Sequence, residues 1–581
     1  MPSGFTGVDI FFVISGYLIT KHIKKDLEAG QFRFLYFYQK RARRLLPVLF
    51  ITTMTTAFFV YLFYMPVDAK NFGMSLASSG LLASNFYFFK QYGYFNTVLE
   101  TSPLLHLWSL AVDEQFYLLF PALFLFLFKF KKVAIWLFVM ALISLFASQI
   151  AVSENPSAAF YLPFFRFFQF IAGSLLVFMP TLQSHKIKEA ISVAGGLLMV
   201  ASVFCLSSTI PYPGVAALLP TIGAALFIHS ANGSIVGRIA SWALPRFIGR
   251  ISYSVYLWHW PLIVFYKYLF SAHLSKPEVA GLFLASLVLG FLSYQFIEVP
   301  TIRYRIRAKS SFVSILAILC LMSFMITGMA FYLTNGMPWR LNESALKAAA
   351  VLDYKLEPQT GPCFIKTEDT GKKTLPQCGK VGQGNILLIG DSHAQHFHAA
   401  LKSALPNSNV FLATETGCRP LLDGKGEKRC TNLMKGMFET YIPHHDIDVI
   451  IIAARWKTED AALIHATINA MKKKNREIIL FGPIIEYEAP LPRIMARSIN
   501  VNNPSLPSSM EVNEVSITDK AIGDAANRAG ARFVSLIDVM CPGSHCITLQ
   551  HGKPIQFDYG HLTEEGADLL LKKMNLRDLI N

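Results

Sequence analysis

Two short segments carry residue types that can do chemistry together. One is Gly390-Asp391-Ser392-His393, and the other, far downstream, is Asp558-Tyr559-Gly560-His561-Leu562-Thr563. A serine hydroxyl is a poor nucleophile until a base takes its proton, and the base works best when a carboxylate orients it. Asp558 and His561 stand three residues apart, so one turn can present both. Either segment alone says little, since Gly-Asp-Ser after a strand also reads as a turn with a helix N-cap. His393, His396 and His398 suggest a metal at first sight. Their spacing (HAQHFH) does not bring all three to one helix face, and no matching carboxylate or cysteine set accompanies them, so no metal is expected. GKGEK (424–428) lacks the pattern of a nucleotide-binding loop.

The surrounding sequence predicts a scaffold for these residues. NILLIG (385–390), DVIIIAAR (448–455) and EIILFGP (477–483) read as buried parallel strands. DSHAQHFHAALKSAL and ATINAMKKK read as helices, DKAIGDAANRAG and ARFVSLI as a further helix and strand, and EEGADLLLKK as a helix after the second motif. Such alternation predicts an α/β, doubly wound, flavodoxin-like sheet over 384–581. Ligands of these sheets sit at the C-terminal ends of strands, where Gly390 falls. Residues 334–383, polar and holding Pro358, Gly361, Pro362 and Gly371, read as a linker. Cys363, Cys378, Cys418, Cys430, Cys541 and Cys546 all lie in this C-terminal third, whereas Cys205 and Cys320 sit in apolar runs. An even set confined to one soluble domain implies an oxidising compartment. Of the possible pairings, the short-range set 363–378, 418–430 and 541–546 is expected.

Residues 1–310 are of another kind. The chain is 53% hydrophobic, with 48 Phe and only 16% charged residues, more apolar surface than a soluble protein needs. Apolar runs near 8–22, 47–64, 105–128, 132–152, 163–180, 189–207, 214–231, 253–271, 278–298 and 311–333 approach the length of about 20 residues that spans a bilayer as helix. This predicts an all-α polytopic bundle in contact with membrane lipids, with 311–333 linking it to the outer domain. The net charge of +15 does not indicate nucleic-acid binding, because the basic residues lie in short loops without any nucleic-acid-binding motif. Lys21, Lys24, Lys25, Arg33, Lys40, Arg41, Arg43 and Arg44 follow the first run. Lys129, Lys131 and Lys132, then Lys186 and Lys188, then Arg238, Arg246 and Arg250, then Arg303, Arg305, Arg307 and Lys309 mark alternate later turns. The opposite turns hold Lys70, Lys90, Lys267 and Lys276. Positive loops stay cytoplasmic, which places Met1 and the C-terminal domain outside. Residues 73–90 are apolar enough to span, but counting them would invert every later loop. They are expected to be re-entrant or buried against the bundle.

These runs also contain ionisable residues: Asp9, His106, Asp113, Glu114, Arg166, His259 and Glu298. Each costs several kcal/mol in hydrocarbon unless paired or solvated, so such residues line cavities or relays. Asp9 and Glu298, at run ends, read equally well as interfacial. Transport and transmembrane group transfer both explain the pattern.

GFTGVDIFFVISGYLIT, FYQKRARRLLP, LLHLWSLAVDEQFYLLFP, the Arg166 segment and SYSVYLWHWPL, in this order, resemble the acyltransferase-3 family over roughly residues 4–305. The resemblance implies transfer of an acyl group, usually acetyl from cytoplasmic acetyl-CoA, to sugars across the membrane, with no bound cofactor. It implies that Arg166 and the Lys40–Arg44 segment, with Arg41 and Arg44, handle the donor; a topogenic role explains that segment as well. His106, Asp113, Glu114 and His259 complete the candidate membrane site. Family members usually begin with one more helix carrying an Arg and a His. Met1 stands just before GFTGVDIFF, so that helix is missing from the sequence: the start was called too late, or this is a fragment or an inactive variant, and the first is expected because everything downstream looks intact.

The paired motifs on their predicted sheet resemble the SGNH hydrolase and transferase superfamily over roughly residues 384–575. The resemblance implies Ser392 as nucleophile, His561 as general base and Asp558 as orienting acid, with an acyl-Ser392 intermediate captured by a sugar hydroxyl. The oxyanion would need donors worth about 3–4 kcal/mol each. The Ser392 amide and Gly417, in TETGCRP, are candidates. Where the superfamily places an Asn stands Ala453-Ala454-Arg455-Trp456; Arg455 reads equally as a donor or as a structural surface residue. The expected whole is a bacterial inner-membrane O-acyltransferase with a periplasmic SGNH domain, acting on a surface or lipid-linked polysaccharide such as O-antigen. A membrane-tethered glycan esterase, and a transporter with a saccharide-binding outer domain, are the alternatives.

Overall fold

The computed structural model describes residues 4–91, 101–130, 132–207, 210–271, 273–303, 310–356, 360–372, 375, 378, 384–424, 426–473, 476–543 and 545–580. Met1, Lys131, Arg305, Arg307, Lys309, Pro358 and Lys425 of the sequence reading lie outside them. The chain divides into two units, Met1–Phe270 with Leu274–Met337, and Ser271–His273 with Pro338–Asn581.

The first unit is helical. Its main helices are α1 (Thr6–Glu28), α2 (Phe34–Phe63), α3 (Pro66–Gly80), α4 (Ser84–Gln91), α5 (Leu107–Phe128), α6 (Val133–Glu154), α7 (Phe167–Leu175), α8 (His185–Cys205), α9 (Leu218–Ser230), α10 (Ala243–Leu269), α11 (Lys276–Ser293) and α12 (Ser310–Leu333). Every expected span falls on a helix. Among the described residues, six helices are long and apolar enough to cross a membrane: Phe34–Phe63, Leu107–Phe128, Val133–Glu154, His185–Cys205, Lys276–Thr301 and Phe312–Leu333. Those over the other four runs are shorter, or carry charges, such as Asp9 and Lys21 in α1 or Arg246 and Arg250 in α10. The chain is a multi-pass membrane protein.

The 73–90 stretch is not one helix. Pro66 starts α3, and Leu82, in the left-handed region at φ 55°, breaks the chain before α4. α3 lies against α12 with backbones in near contact, since a Cβ on Gly73 would meet the Gly328 carbonyl oxygen at 2.6 Å. α1 and α7 approach in the same way. A Cβ on Gly173 would stand 2.0 Å from the Val13 oxygen. Small residues at such crossings let helices pack where apolar burial offers no drive in lipid.

The second unit holds a five-stranded, all-parallel sheet in the order β2-β1-β3-β4-β5. Its strands are β1 (Asn385–Gly390), β2 (Asn409–Thr414), β3 (Val449–Ala453), β4 (Glu477–Phe481) and β5 (Arg532–Val534). Helices α14 (Ser392–Ala404), α15 (Ala461–Met471), α16 (Leu491–Asn500), α17 (Glu514–Arg528) and α18 (Glu564–Lys573) follow the strands or close the unit. β2 is the one strand of this sheet that the sequence reading did not assign. The core is continuous across the sheet, with Leu387, Ile389, Phe411, Ile450, Ile452 and Leu480 all buried.

Two sequence expectations are corrected here. The stretch 334–383 is not a free linker, because most of its described residues belong to the outer unit. Asn342 caps helix α13 (Glu343–Ala350), accepting a hydrogen bond from the Ala345 amide at 2.8 Å. Ala345, Ala348 and Ala349 are buried. The Ile365 amide donates to the Leu412 carbonyl at 2.8 Å and the Leu412 amide to that of Cys363 at 2.9 Å, so the segment covers the otherwise open edge of β2. Disulfides join Cys418 to Cys430 and Cys541 to Cys546, but Cys363 and Cys378 are thiols. The Cys363 Sγ faces the Cys378 carbonyl oxygen at 3.7 Å.

Gly390, last in β1, pairs with Ala453 of β3. A Cβ there would lie 1.7 Å from the Ala453 carbonyl oxygen and 2.8 Å from the Ala394 Cβ. Gly390→Ala must therefore push β1 away from β3 or from α14. A loss of about 1–3 kcal/mol or more is expected, read as a lower unfolding midpoint of the outer unit; an unchanged midpoint would contradict this packing.

Candidate active site

The site forms where β1 ends. Asp391 caps α14, its Oδ1 accepting a hydrogen bond from the His393 amide at 2.8 Å, and the cap places Ser392 in the first turn. The Ser392 Oγ and the His561 Nε2 are 2.8 Å apart. The His561 Nδ1–H donates to the Asp558 Oδ2 at 2.7 Å. The Asp558 Oδ1 also accepts the amides of Gly560 and His561, at 2.9 and 2.7 Å, a tight turn that orients the carboxylate toward its own histidine. Ser392 and His561 are buried. The geometry therefore brings Ser392, His561 and Asp558 into one hydrogen-bonded chain, as base-activated serine chemistry requires.

Aromatic rings flank His561. The Phe557 ring stacks on His561 at 5.6 Å between centroids, and the His393 ring stands 4.6 Å from it. Burial holds His393 and His396 well below the usual histidine range, so both are neutral at pH 7. The His396 Nδ1 accepts the Leu562 amide at 3.3 Å, leaving its proton on Nε2. Among the described residues, no three His, Cys, Asp or Glu side chains stand where they could hold a metal ion.

Gly417 and Arg455 lie beyond the C-terminal ends of β2 and β3, the strands flanking β1. Gly417 has φ 68°, a turn conformation that suits glycine, and Cys418 beside it is disulfide-bonded. The Arg455 guanidinium is committed elsewhere. Its Nε and one terminal nitrogen donate to the two Glu486 carboxylate oxygens at 2.7 and 2.6 Å, and the other donates to the Tyr559 Oη at 3.0 Å. Glu486 and Tyr559 carry no sequence signal that would have linked them to Arg455.

The membrane unit gathers its polar residues into separate clusters. Asp9 and Arg166 form a buried ion pair at 3.0 Å, with Gln169 and Tyr212 also donating to Asp9. Arg166 donates to the Phe160 carbonyl at 3.0 Å. The interfacial reading of Asp9 and Glu298 therefore gives way, because both are buried and Ser254 donates to Glu298. Arg41 lies 3.8 Å from Asp113 and over the Tyr117 ring, whereas Arg44 is exposed. Arg41, Glu114 and Tyr38 line a cavity of about 210 Å³ with Leu45, Leu110 and Leu321. His106 and His259 have ring centroids 5.7 Å apart, and both meet Tyr256, which donates to the His106 carbonyl at 2.6 Å.

Comparisons with known proteins agree with this division. A family model described as "Acyltransferase domain" matches residues 2–295, and one described as "SGNH domain (fused to AT3 domains)" matches 358–575. The peptidoglycan O-acetyltransferase OatA of Listeria monocytogenes is 30% identical over 51% of this chain and 51% of its own length. An uncharacterized protein of Haemophilus influenzae is 32% identical over 39% of this chain and 98% of its own. The chain thus spans about half the length of the Listeria relative. The solved periplasmic domain of a lipopolysaccharide acetyltransferase from Salmonella ser. Paratyphi A is 21% identical, covers 40% of this chain and 95% of its own, and has a TM-score of 0.32.

The Asp391 Oδ2 accepts the Arg455 amide at 2.9 Å, yet desolvation outweighs both amide hydrogen bonds and pushes its carboxyl up to about 6 from 3.8. The folded state therefore binds this proton more tightly than the unfolded chain. Stability contributed by the group rises as pH falls from about 6 toward about 4 and is absent above that window. Relative to Asp391→Asn, the wild-type chain should gain about 1 kcal/mol between pH 7 and pH 5, seen in the difference between their unfolding midpoints. A difference that stays constant with pH would contradict a buried, titrating Asp391.

Proposed function

The chain belongs to the acyltransferase domain family, here fused to an SGNH domain, and on that premise we propose that it is a membrane O-acyltransferase acting on a glycan. The observation that carries the reading is the Ser392–His561–Asp558 chain of hydrogen bonds on a unit joined to apolar helices with buried ion pairs. The acyl group is acetyl, drawn from cytoplasmic acetyl-CoA through the membrane unit. The cavity beside Arg41 and Glu114 is the candidate donor site, with Arg166, His106 and His259 in the same helical unit. The acceptor is a surface or lipid-linked polysaccharide, O-antigen among them, and the peptidoglycan named for the Listeria relative is of the same glycan class.

In the outer unit His561 takes the Ser392 proton as the Oγ attacks the acyl carbonyl. The tetrahedral oxyanion is met by main-chain amides, those of Ser392 at the start of α14 and of Gly417 being the candidates. Collapse expels the donor's leaving group, which receives the proton from His561, and leaves acyl-Ser392. A sugar hydroxyl then loses its proton to His561, attacks the ester and regenerates Ser392. Asp558 holds the imidazole in the tautomer this needs. Basic loops on alternate turns and the two disulfides of the outer unit support an inner-membrane location with that unit in the periplasm.

The test is alkali-labile acetate on surface glycans of a deletion strain, complemented with the gene or with its Ser392→Ala form. Acetate should return with the wild-type gene only. Equal restoration by both would remove Ser392 from the transfer, and higher acetate without the gene would make the protein an esterase.

A further inference from the structure

We infer that Arg455 is a positioning residue that clamps the acid–base loop, Asp558 to His561, against the serine turn; this rests on the Ser392-based reading above. The loop has no regular secondary structure, so its place depends on discrete bonds. Its backbone is tied by the Tyr487 amide donating to the Tyr559 carbonyl at 2.9 Å and the Leu491 amide to that of Asp558 at 3.0 Å. Beside the Ser392–His561 bond, Arg455 ties the loop through side chains. The guanidinium grips Glu486 with two parallel N–H···O bonds, reaches the Tyr559 Oη, and stands 4.8 Å from the centre of that ring. The Arg455 amide meanwhile donates to Asp391, next to the nucleophile.

One residue thus touches three segments: the turn that presents Ser392, the loop after β4, and the loop that presents His561. The planar fork presents donors on three separate nitrogens, so it holds a carboxylate through two parallel bonds and still reaches a third group; a lysine's three donors share one nitrogen and cannot span the same positions. Glu486 neutralises the guanidinium and satisfies two of its donors, so Arg455 is better built to fix the distance from Ser392 to His561 than to receive an oxyanion. The side chain acts through Tyr559 and Glu486.

The experiment uses the full chain in detergent, with p-nitrophenyl acetate as the acyl donor. R455K should lower kcat about tenfold to a hundredfold, the cost of a misplaced catalytic group, while KM stays near wild type. Y559F should lower kcat less. The double variant should be no slower than R455K alone, since both changes cut one tie. If R455K does not fold, E486Q, which weakens the same fork from the other side, carries the same expectation of reduced kcat with KM preserved. Wild-type kcat in R455K, a loss confined to KM, or losses that multiply in the double variant would overturn the clamp. Ser392→Ala is assayed alongside: turnover that survives it would sink the Ser392 reading itself, whatever Arg455 does.

Discussion

The outer unit is organised around one hydrogen bond, from Ser392 to His561, whose partners are 169 positions apart in the chain. Nothing local can set that distance. It depends on the parallel register that ends β1 and β3 together at Gly390 and Ala453, on the Asp391 cap that starts α14, and on the ties that fix the loop before α18. Gly390 matters because β1 and β3 are too close there for any side chain. Asp391 matters because one buried carboxylate serves both the helix start and the Arg455 amide.

The membrane unit meets a comparable constraint with other means. Charges inside an apolar bundle are stable only in pairs or networks, and Asp9 with Arg166, Gln169 and Tyr212 forms such a network with no residue left at the surface but a partly buried tyrosine. The ring of aromatics around Arg166, with Trp108, Phe160 and Tyr212 within 5.5 Å of its guanidinium carbon, gives the cation a polarisable surround. Arg41 repeats the arrangement with Asp113 and Tyr117. Glu114 differs, since it opens onto a cavity with Arg41 on the same wall.

Much of this was legible in the sequence, for identifiable reasons. NILLIG and DVIIIAAR read as strands because runs of branched residues buried on both faces have few other uses, and the serine and histidine motifs lay at predictable ends of elements. β2 was missed because NVFLAT is framed by polar residues, Asn407 and Ser408 before it and Glu415 and Thr416 after it. The 334–383 stretch was misread because its polar composition hides a few buried alanines and two edge hydrogen bonds, neither of which leaves a periodic trace. The ion pair of Asp9 with Arg166 and the Arg455 fork pair residues distant in sequence, so composition showed the charges without their partners. The thiols of Cys363 and Cys378 were expected to pair on proximity in sequence alone, which does not fix side-chain direction.

The most direct measurement is a search for an acyl group on Ser392. The purified protein would be incubated in vesicles with acetyl-CoA labelled in its acetyl group, without acceptor glycan, and the peptide containing Ser392 weighed by mass spectrometry. The account predicts labelled acetyl on Ser392 that disappears when acceptor glycan is added and never forms in Asp558→Ala at the wild-type rate. Labelled glycan formed at full rate by a chain whose Ser392 never carries acetyl would contradict it.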